Sequence, residues 1–258
     1  MSTDRIVHIV EDRDALIQNI ADEFVAVIGQ ALADRETVNI CLTGGTVGIG
    51  VLAAIGAEHR RTALDWNRIH LWWGDERWLP AGDPERNDAQ AQHALLEHLA
   101  IPAANIHRFP ASDGQYDLDA AAEAYARELS ANASRPSSVP AFDLVFLGVG
   151  PDGHIASLFP GREGIREKDA TVIAVRNSPK PPPERLSLTL PVINSAERVW
   201  LCMAGADKAA ALGLALAGAS EIDVPAAGAR GHSRTVFFVD GAAASEVPQE
   251  LLNDHRAV

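Results

Sequence analysis

Cysteine is scarce in this chain. Cys41 and Cys202 are the only two among 258 residues, and no Cys-x-x-Cys spacing occurs. That excludes a disulfide scaffold and the common cysteine frameworks for zinc and redox chemistry. Both lie in apolar, strand-like runs, which predicts buried free thiols. Positive charge is also in deficit. Lys and Arg number 22 against 35 Asp and Glu, a formal net charge of −13. Such a surface repels phosphate backbones and argues against general nucleic-acid binding. A small anionic ligand then requires cations gathered locally. Uninterrupted apolar runs of the ~18–20 residues that a membrane span needs are missing, so no membrane partner is expected. The first ten residues hold Asp4, Arg5 and His8 among apolar neighbours, without the apolar core or cleavage pattern of a signal peptide. A cytoplasmic location is the expectation. No internal repeat or long low-complexity stretch occurs.

What is present is ordinary globular material. Hydrophobic residues make up 47% and charged residues 22%, which suits one large domain or two small ones. Ile6 to Val10 reads as a first strand. After Asp12, Leu16, Ile17, Ile20, Phe24, Val27, Ile28 and Ala31 recur at the spacing of one buried helix face. Thr37 to Leu42 is strand-like and ends at Thr43-Gly44-Gly45-Thr46, after which Val47, Val51, Leu52 and Ile55 follow at helical spacing. Ile69 to Trp73 is a buried strand that ends at Gly74-Asp75-Glu76-Arg77, with a polar loop after it. Helical pattern returns over Ala89 to Leu99 and Asp117 to Leu129, and Ala131 to Pro140 is a short linker. Phe142 to Leu147 is an apolar strand that runs into Gly148-Val149-Gly150-Pro151-Asp152-Gly153-His154. Thr171 to Val175, Leu186 to Leu190, Val199 to Met203 and Thr235 to Val239 read as later strands, with a helix over Ala206 to Ala217. Alternating strands and helices, with strands apolar throughout, predict an α/β fold with a mostly parallel sheet and helices on both faces. Ligands of such sheets bind beyond the carboxyl ends of the strands. Three of those ends carry Gly beside Asp, Glu, Arg, His or Thr.

Thr43-Gly44-Gly45-Thr46 admits two readings. Glycines let backbone N–H groups approach an anion, with the positive end of the next helix behind them and Thr46 as its cap. A plain strand-to-helix turn also favours Gly and Thr. No Gly-Lys-Ser/Thr follows, so this is not a P-loop. Gly148 to Gly153 matches G-x-G-x-x-G, but Pro151 sits inside it and Pro160-Gly161 stop any helix within two turns. That rejects a dinucleotide fingerprint. The loop does offer Asp152 and His154, one glycine apart. Histidine carries protons near neutral pH, and a carboxylate can fix its tautomer. Asp75-Glu76-Arg77 is either solvated loop or the source of a fixed cation, Arg77, for an oxyanion or a sugar phosphate. Trp72, Trp73 and Trp78 are core or pocket wall. Pro179, Pro181, Pro182 and Pro183 stiffen the segment that carries Lys180 and Arg185. A rigid exposed loop or a polyproline ligand is the alternative there. Lys208, early in its helix, opposes the dipole, which favours a ligand role.

Gly44-Gly45-Thr46, Gly74-Asp75-Glu76-Arg77, Gly148-x-Gly-Pro-Asp152-Gly-His154-x-Ala-Ser-Leu-Phe-Pro160 and Lys180-Pro-Pro-Pro-x-Arg185 occur in this order. Together they resemble the glucosamine-6-phosphate isomerase/6-phosphogluconolactonase family, on its lactonase side, over roughly residues 5–240. The resemblance implies a Rossmann-like three-layer sandwich in which residues 1–258 form one domain, monomeric or homodimeric, with no cofactor and no metal. It implies hydrolysis of 6-phospho-D-glucono-1,5-lactone to 6-phosphogluconate, the second step of the oxidative pentose phosphate pathway. Carried over by motif, Gly44, Gly45 and Thr46 hold the phosphate, with Arg185 and Lys208 as cationic partners. His154 is the general base that activates water, with Asp152 beside it, and Asp75, Arg77 and Lys180 line the pocket around the lactone.

Two departures from the family pattern stand out. Thr46-Val47-Gly48 replaces the common Ser-Thr-Pro, which bears on capping of the phosphate loop. Arg86-Asn87 replaces Ser-Asn, which is expected to add a cation at the pocket rim. The isomerase/deaminase branch carries Asn-Glu-Pro where this chain has Leu158-Phe159-Pro160, and Phe159 cannot transfer a proton. A sugar-phosphate-binding regulator that had lost turnover would be expected to lack the base, yet His154 and Asp152 are both present. No Gly-x-Ser-x-Gly esterase motif occurs.

Overall fold

The alternation of strands and helices resolves into two sheets in a computed structural model that describes residues 4–255. Along the chain the strands are β1 (Asp4–Val10), β2 (Val38–Leu42), β3 (Ile69–Trp73), β4 (Asp75–Arg77), β5 (Phe142–Gly148), β6 (Val172–Val175), β7 (Arg185–Leu188), β8 (Arg198–Met203) and β9 (Arg234–Asp240). The longer helices are α1 (Arg13–Asp34), α2 (Gly45–Ile55), α3 (Asn87–Ala94), α4 (Leu118–Ala131) and α5 (Ala209–Leu216).

The main sheet has the order β1-β9-β8-β5-β2-β3, and every neighbouring pair is parallel. Parallel strands need crossovers, and right-handed crossovers set the face on which each helix lies. The path from β1 to β2 to β3 travels one way, which puts α1 and α2 on one face. The return through β5 and β8 to β9 travels the other way and puts α4 and α5 on the opposite face. The direction reverses between β2 and β5, which are neighbours, so the chain leaves their carboxyl ends on opposite sides. That divergence is where an open α/β sheet leaves a crevice.

Burial explains the apolar runs. Six of the seven residues of β5 are buried, and Trp72, Trp73, Trp200, Phe142 and Phe146 are core side chains. Each contributes about 2 kcal/mol by leaving water. Trp72 and Trp73 belong to this core, while Trp78 is half-buried. Cys41 and Cys202 are buried free thiols, as expected. α1 starts where Asp12 Oδ1 accepts a bond from the Ala15 N–H, and it buries Leu16, Ile20, Ala21, Phe24, Ile28 and Leu32 at three- and four-residue spacing. By length and composition α1 reaches the threshold for a membrane span. It also carries Asp22, which pairs with Arg60 at 2.7 Å.

The segment Gly74 to Arg77 departs from expectation. The sequence pattern places it in a loop, yet β4 joins β7 and β6 in a second, antiparallel sheet. Gly74 is the passage between the two sheets: its N–H donates to Leu42 O (3.0 Å) and its carbonyl accepts from the Leu188 N–H (2.8 Å). A three-residue polar strand has no apolar alternation to announce it. Other boundaries shift locally. The strand expected over Leu186 to Leu190 ends at Leu188, and Leu190 opens a one-turn helix. The helix expected over Ala89 to Leu99 is α3 to Ala94 and then a 3-10 turn, Leu96–His98. Ala206–Lys208 forms a 3-10 turn that leads into α5. Ala131 to Pro140 includes the end of α4 and the loop into β5, in the middle of the main sheet.

Candidate active site

A crevice of about 640 Å³ opens at the carboxyl ends of β2, β5 and β8. One wall is backbone. Gly44 is the N-cap of α2, and no side chain caps this end. The first N–H groups of α2 therefore face the crevice with the positive end of the helix dipole behind them. Thr46 is the second helical residue, so the capping role expected of it is not made. Gly44 has a steric reason to be glycine: a Cβ there would lie 1.9 Å from Asn87 Oδ1. Thr43 Oγ1 accepts from the Gly148 N–H at 3.1 Å and ties the β2 and β5 ends together. Lys208, mostly buried, lies 3.2 Å from Asp207 in the same wall, and Arg13 reaches it from the start of α1.

A second wall is the turn after β5. The Gly150 N–H donates to His154 O, and the Gly153 N–H donates to Gly150 O, both at 2.9 Å. This folds Asp152 onto His154, with Nδ1 2.5 Å from Oδ1. A Cβ on Gly150 would lie 2.0 Å from His154 Nδ1 and 2.5 Å from Asp152 Oδ1. The middle glycine of the apparent nucleotide fingerprint thus makes room for this pair. An Nδ1–H that donates to Asp152 leaves the lone pair on Nε2. Burial works against the charge of Asp152, but the hydrogen bond from His154 and the ammonium of Lys180 outweigh it. They hold the carboxyl well below the usual carboxylate range. Lys180 Nζ is 3.6 Å from Asp152 Oδ1 and 3.4 Å from His154 Nδ1. Ala156 lines the same wall in the left-handed region at φ +47°, a conformation that costs about 1 kcal/mol outside glycine.

The third wall comes from the small sheet. Pairing of Asp75 with Ser187 and of Arg77 with Arg185 brings two distant motifs side by side. Asp75 Oδ2 accepts from Ser157 Oγ–H at 2.6 Å and lies 3.7 Å from Arg185 Nη1. Arg185 is buried, and its Nε and Nη2 donate to Pro182 O (3.2 Å) and Pro181 O (2.7 Å). It therefore fastens the proline segment that presents Lys180, and Nη1 is the part turned to Asp75. Arg77 Nη1 donates to Glu85 O at 2.5 Å, while its Nε is buried without a partner. Glu76 faces away from the crevice. Its Oε1 accepts from the N–H groups of Arg77 (2.8 Å) and Asn87 (2.7 Å), and its Oε2 from Asp88 (2.9 Å). Burial pushes its pKa up to about 7, against the opposing pull of Arg86.

Every residue expected to act at the site, except Asp152, lines this one crevice: Gly44, Gly45, Thr46, Asp75, Arg77, His154, Lys180, Arg185 and Lys208. Asp152 stands directly behind His154. The expectation for Arg86 is corrected. Its guanidinium is 1% exposed, bonds Asp88 at 2.9 and 3.1 Å and donates to Phe109 O at 2.9 Å. It locks the loop before α3 and adds no cation to the rim. Sequence reasoning missed Arg13, Cys202 and the placement of Asn87 as lining residues. Nothing local marks Arg13 or Cys202, and Asn87 was noted only as part of the family pattern, since the fold brings all three to the crevice. Burial pushes the Cys202 thiol up to about 12, so it stays protonated and unreactive. The lining set holds five cationic side chains, Arg13, Arg77, Lys180, Arg185 and Lys208, against Asp75 and Asp207. This is a local reversal of the −13 carried by the chain. Among the described residues, no group of three or more His, Cys, Asp or Glu is placed to hold a metal ion.

Residues 11–238 match the family described as glucosamine-6-phosphate isomerases/6-phosphogluconolactonase. The chain is 52% identical over 251 residues to a 6-phosphogluconolactonase of Streptomyces coelicolor, covering 95% of each protein. It is 44% identical over 244 residues to the enzyme of Mycobacterium tuberculosis, covering 94% of this chain and 98% of the relative. Among solved structures, 6-phosphogluconolactonase from Trypanosoma brucei superposes with a TM-score of 0.82 at 26% identity, over 96% of this chain and all of that one. A monomeric glucosamine-6-phosphate deaminase superposes almost as well, with a TM-score of 0.76 at 21% identity over 93% of this chain and 99% of that one. That second likeness shows the fold alone, which serves two reaction classes.

Proposed function

This chain belongs to the glucosamine-6-phosphate isomerase/6-phosphogluconolactonase family, and from that premise we propose that it hydrolyses 6-phospho-D-glucono-1,5-lactone to 6-phosphogluconate in the oxidative pentose phosphate pathway. Relatives named for this reaction align over nearly the whole chain at 52% and 44% identity, which supports the lactonase branch over the deaminase branch. Phe159, in the position where the deaminase pattern has a glutamate, supports the same choice. We place the protein in the cytoplasm as a monomer or homodimer. Residues 1–258 act as one unit, since the site draws on elements from Arg13 to Lys208.

The observation that carries the mechanism is the Asp152–His154 pair, fixed through Nδ1 at 2.5 Å beside the uncapped end of α2. The phosphate docks on the N–H groups of Gly45 and Thr46 with Lys208 as counter-charge, and this remote binding orients the lactone. His154 Nε2 takes a proton from water as the water oxygen bonds to C1. The C1 carbonyl oxygen becomes an oxyanion, which the guanidinium of Arg77 and the ammonium of Lys180 stabilise. The oxyanion then collapses, the bond from C1 to the ring oxygen breaks, and His154 returns its proton to that oxygen. The products are a free hydroxyl on C5 and a carboxylic acid, which ionises. Asp152 keeps the imidazole in the required tautomer throughout. Asp75 and Arg185 hold the wall on which Arg77 and Lys180 stand.

The test is a coupled assay in which glucose-6-phosphate dehydrogenase generates the lactone and its decay is followed against spontaneous opening. Wild type should accelerate the decay, and His154→Ala should lower kcat by about 10³-fold with unchanged thermal unfolding. Acceleration by His154→Ala equal to wild type would remove His154 as the base. No acceleration by wild type, with 6-phosphogluconate still bound, would favour a binding protein.

A further inference from the structure

Parallel pairing of β8 with β9 ends where Met203 lies opposite Val239. The last residue of β9, Asp240, carries the tie onward with its side chain. Both carboxylate oxygens lie 3.1 Å from the nitrogen of Gly205, two residues past the end of β8, and share its N–H. Oδ1 also accepts from the Ala243 N–H at 2.8 Å and so caps the one-turn helix Gly241–Ala244. Asp240 is 5% exposed, and all of these bonds come from peptide N–H groups. Taking a carboxylate out of water is costly. A serine or an asparagine caps a helix as well, so capping alone does not explain a buried acid here.

The bond to Gly205 does. Gly205 has φ +99°, in the region open to glycine and strained for other residues. That freedom leaves the direction of the chain unset by its own backbone, and no side chain caps the turn that follows. The Gly205 carbonyl accepts from the Lys208 N–H at 3.1 Å and closes the 3-10 turn Ala206–Lys208. Asp240 therefore holds one end of this turn, and Lys208 is the other. Ala204, Asp207 and Lys208 line the crevice. The Lys208 side chain is mostly buried, so a shift of its backbone carries the ammonium with it.

We infer that Asp240 is a positioning residue: through the Gly205 N–H it sets the turn that aims Lys208 at the phosphate of the substrate. This rests on the reading of the crevice as a sugar-phosphate site. Asp240 acts on the phosphate end, away from the Asp152–His154 pair, so its effect falls on binding and not on the chemical step.

The experiment measures kcat and KM on 6-phosphogluconolactone, and the Kd of 6-phosphogluconate, for wild type, Asp240→Ser, Asp240→Asn and Lys208→Ala. Serine can still cap Ala243 but is too short to hold Gly205. Asp240→Ser should raise KM and Kd about tenfold, no more than Lys208→Ala does, with kcat within about twofold of wild type. Asparagine keeps one accepting oxygen, so Asp240→Asn should lie between wild type and Asp240→Ser. Placed on Lys208→Ala, Asp240→Ser should add less than about twofold. An unchanged KM overturns the inference, as does a fall in kcat alone, the mark of a merely structural role. A full further loss on top of Lys208→Ala overturns it too. If Asp240→Ser does not fold, Asp240→Glu keeps the charge but displaces it by one methylene, and the same outcomes decide. Wild type that binds 6-phosphogluconate without accelerating lactone decay overturns the lactonase reading alone, and the Kd values then decide this inference. Wild type that does neither overturns both.

Discussion

His154 and His107 are each held through Nδ1 by a carboxylate, at 2.5 Å from Asp152 and 2.7 Å from Glu128. The two pairs differ in what the second nitrogen meets. His107 Nε2 lies 3.0 Å from His70 Nδ1, and the ring lies flat on Trp72 with centroids 3.7 Å apart. With Nδ1–H directed at Glu128, His107 Nε2 accepts from His70, so both nitrogens of this buried ring already have partners in the protein. His154 has its Nδ1 occupied in the same way but lines the crevice, beside a helix end that no side chain caps. A histidine–carboxylate pair is therefore a common structural device. Chemistry begins where one nitrogen is left over and a ligand can reach it.

The comparison can be broken at either pair. After His154→Ala, the next largest effect should come from Asp152→Asn. An amide cannot stabilise the imidazolium and permits the wrong tautomer, so kcat should fall about 10²-fold with KM nearly unchanged. Thermal unfolding should fall only slightly, because Asp152 is a third exposed and solvent screens its ion pairs. A loss below threefold would mean that something other than Asp152 orients the ring. His107→Ala should behave in the opposite way. It empties the space beneath Trp72 and removes the partner of His70 Nδ1, at a cost of about 2 kcal/mol in urea unfolding. Its kcat/KM should stay within about twofold of wild type. A large loss of activity there would join the two pairs into one functional network.

The same contrast explains what could be read from the sequence. Asp152 and His154 are two residues apart in a glycine turn, so their meeting is local and the motif announces it. His107 and Glu128 are 21 residues apart, and neither sits in a recognisable pattern. The apolar runs of β2, β3, β5, β8 and β9 were legible because parallel strands covered on both faces are apolar throughout. β4 was not, since Asp75-Glu76-Arg77 is polar and owes its extended form to pairing with Arg185–Ser187. That long-range register delivers Arg77 and Arg185 to one wall. Arg86 reads as a rim cation in the sequence because a lone arginine in a loop is usually solvated. Its burial between Asp88 and the Phe109 carbonyl depends on partners that only the fold supplies. Arg13 was unmarked for the same reason.

The smallest effect tests the closed pair through its titration. Burial lowers the pKa of His107 against the opposing pull of Glu128, and burial together with His107 lowers that of His70. On acidification below about pH 6.5, the unfolded chain binds protons at these positions before the folded one does. Stability should therefore fall with decreasing pH from these two groups. Glu76 acts in the opposite direction. Burial raises its folded pKa to about 7, so the folded chain holds the extra proton from the ordinary glutamate range up to pH 7, and stability from this group falls as pH rises. The two slopes overlap, and wild type alone cannot separate them. His107→Phe keeps an aromatic ring on Trp72 while removing one titration. The difference in unfolding free energy between wild type and His107→Phe, measured from pH 5 to pH 7.5, should narrow or reverse toward the acid end. A constant difference would mean that His107 takes up its proton as readily in the fold as outside it, and the closed pair would then be ionic.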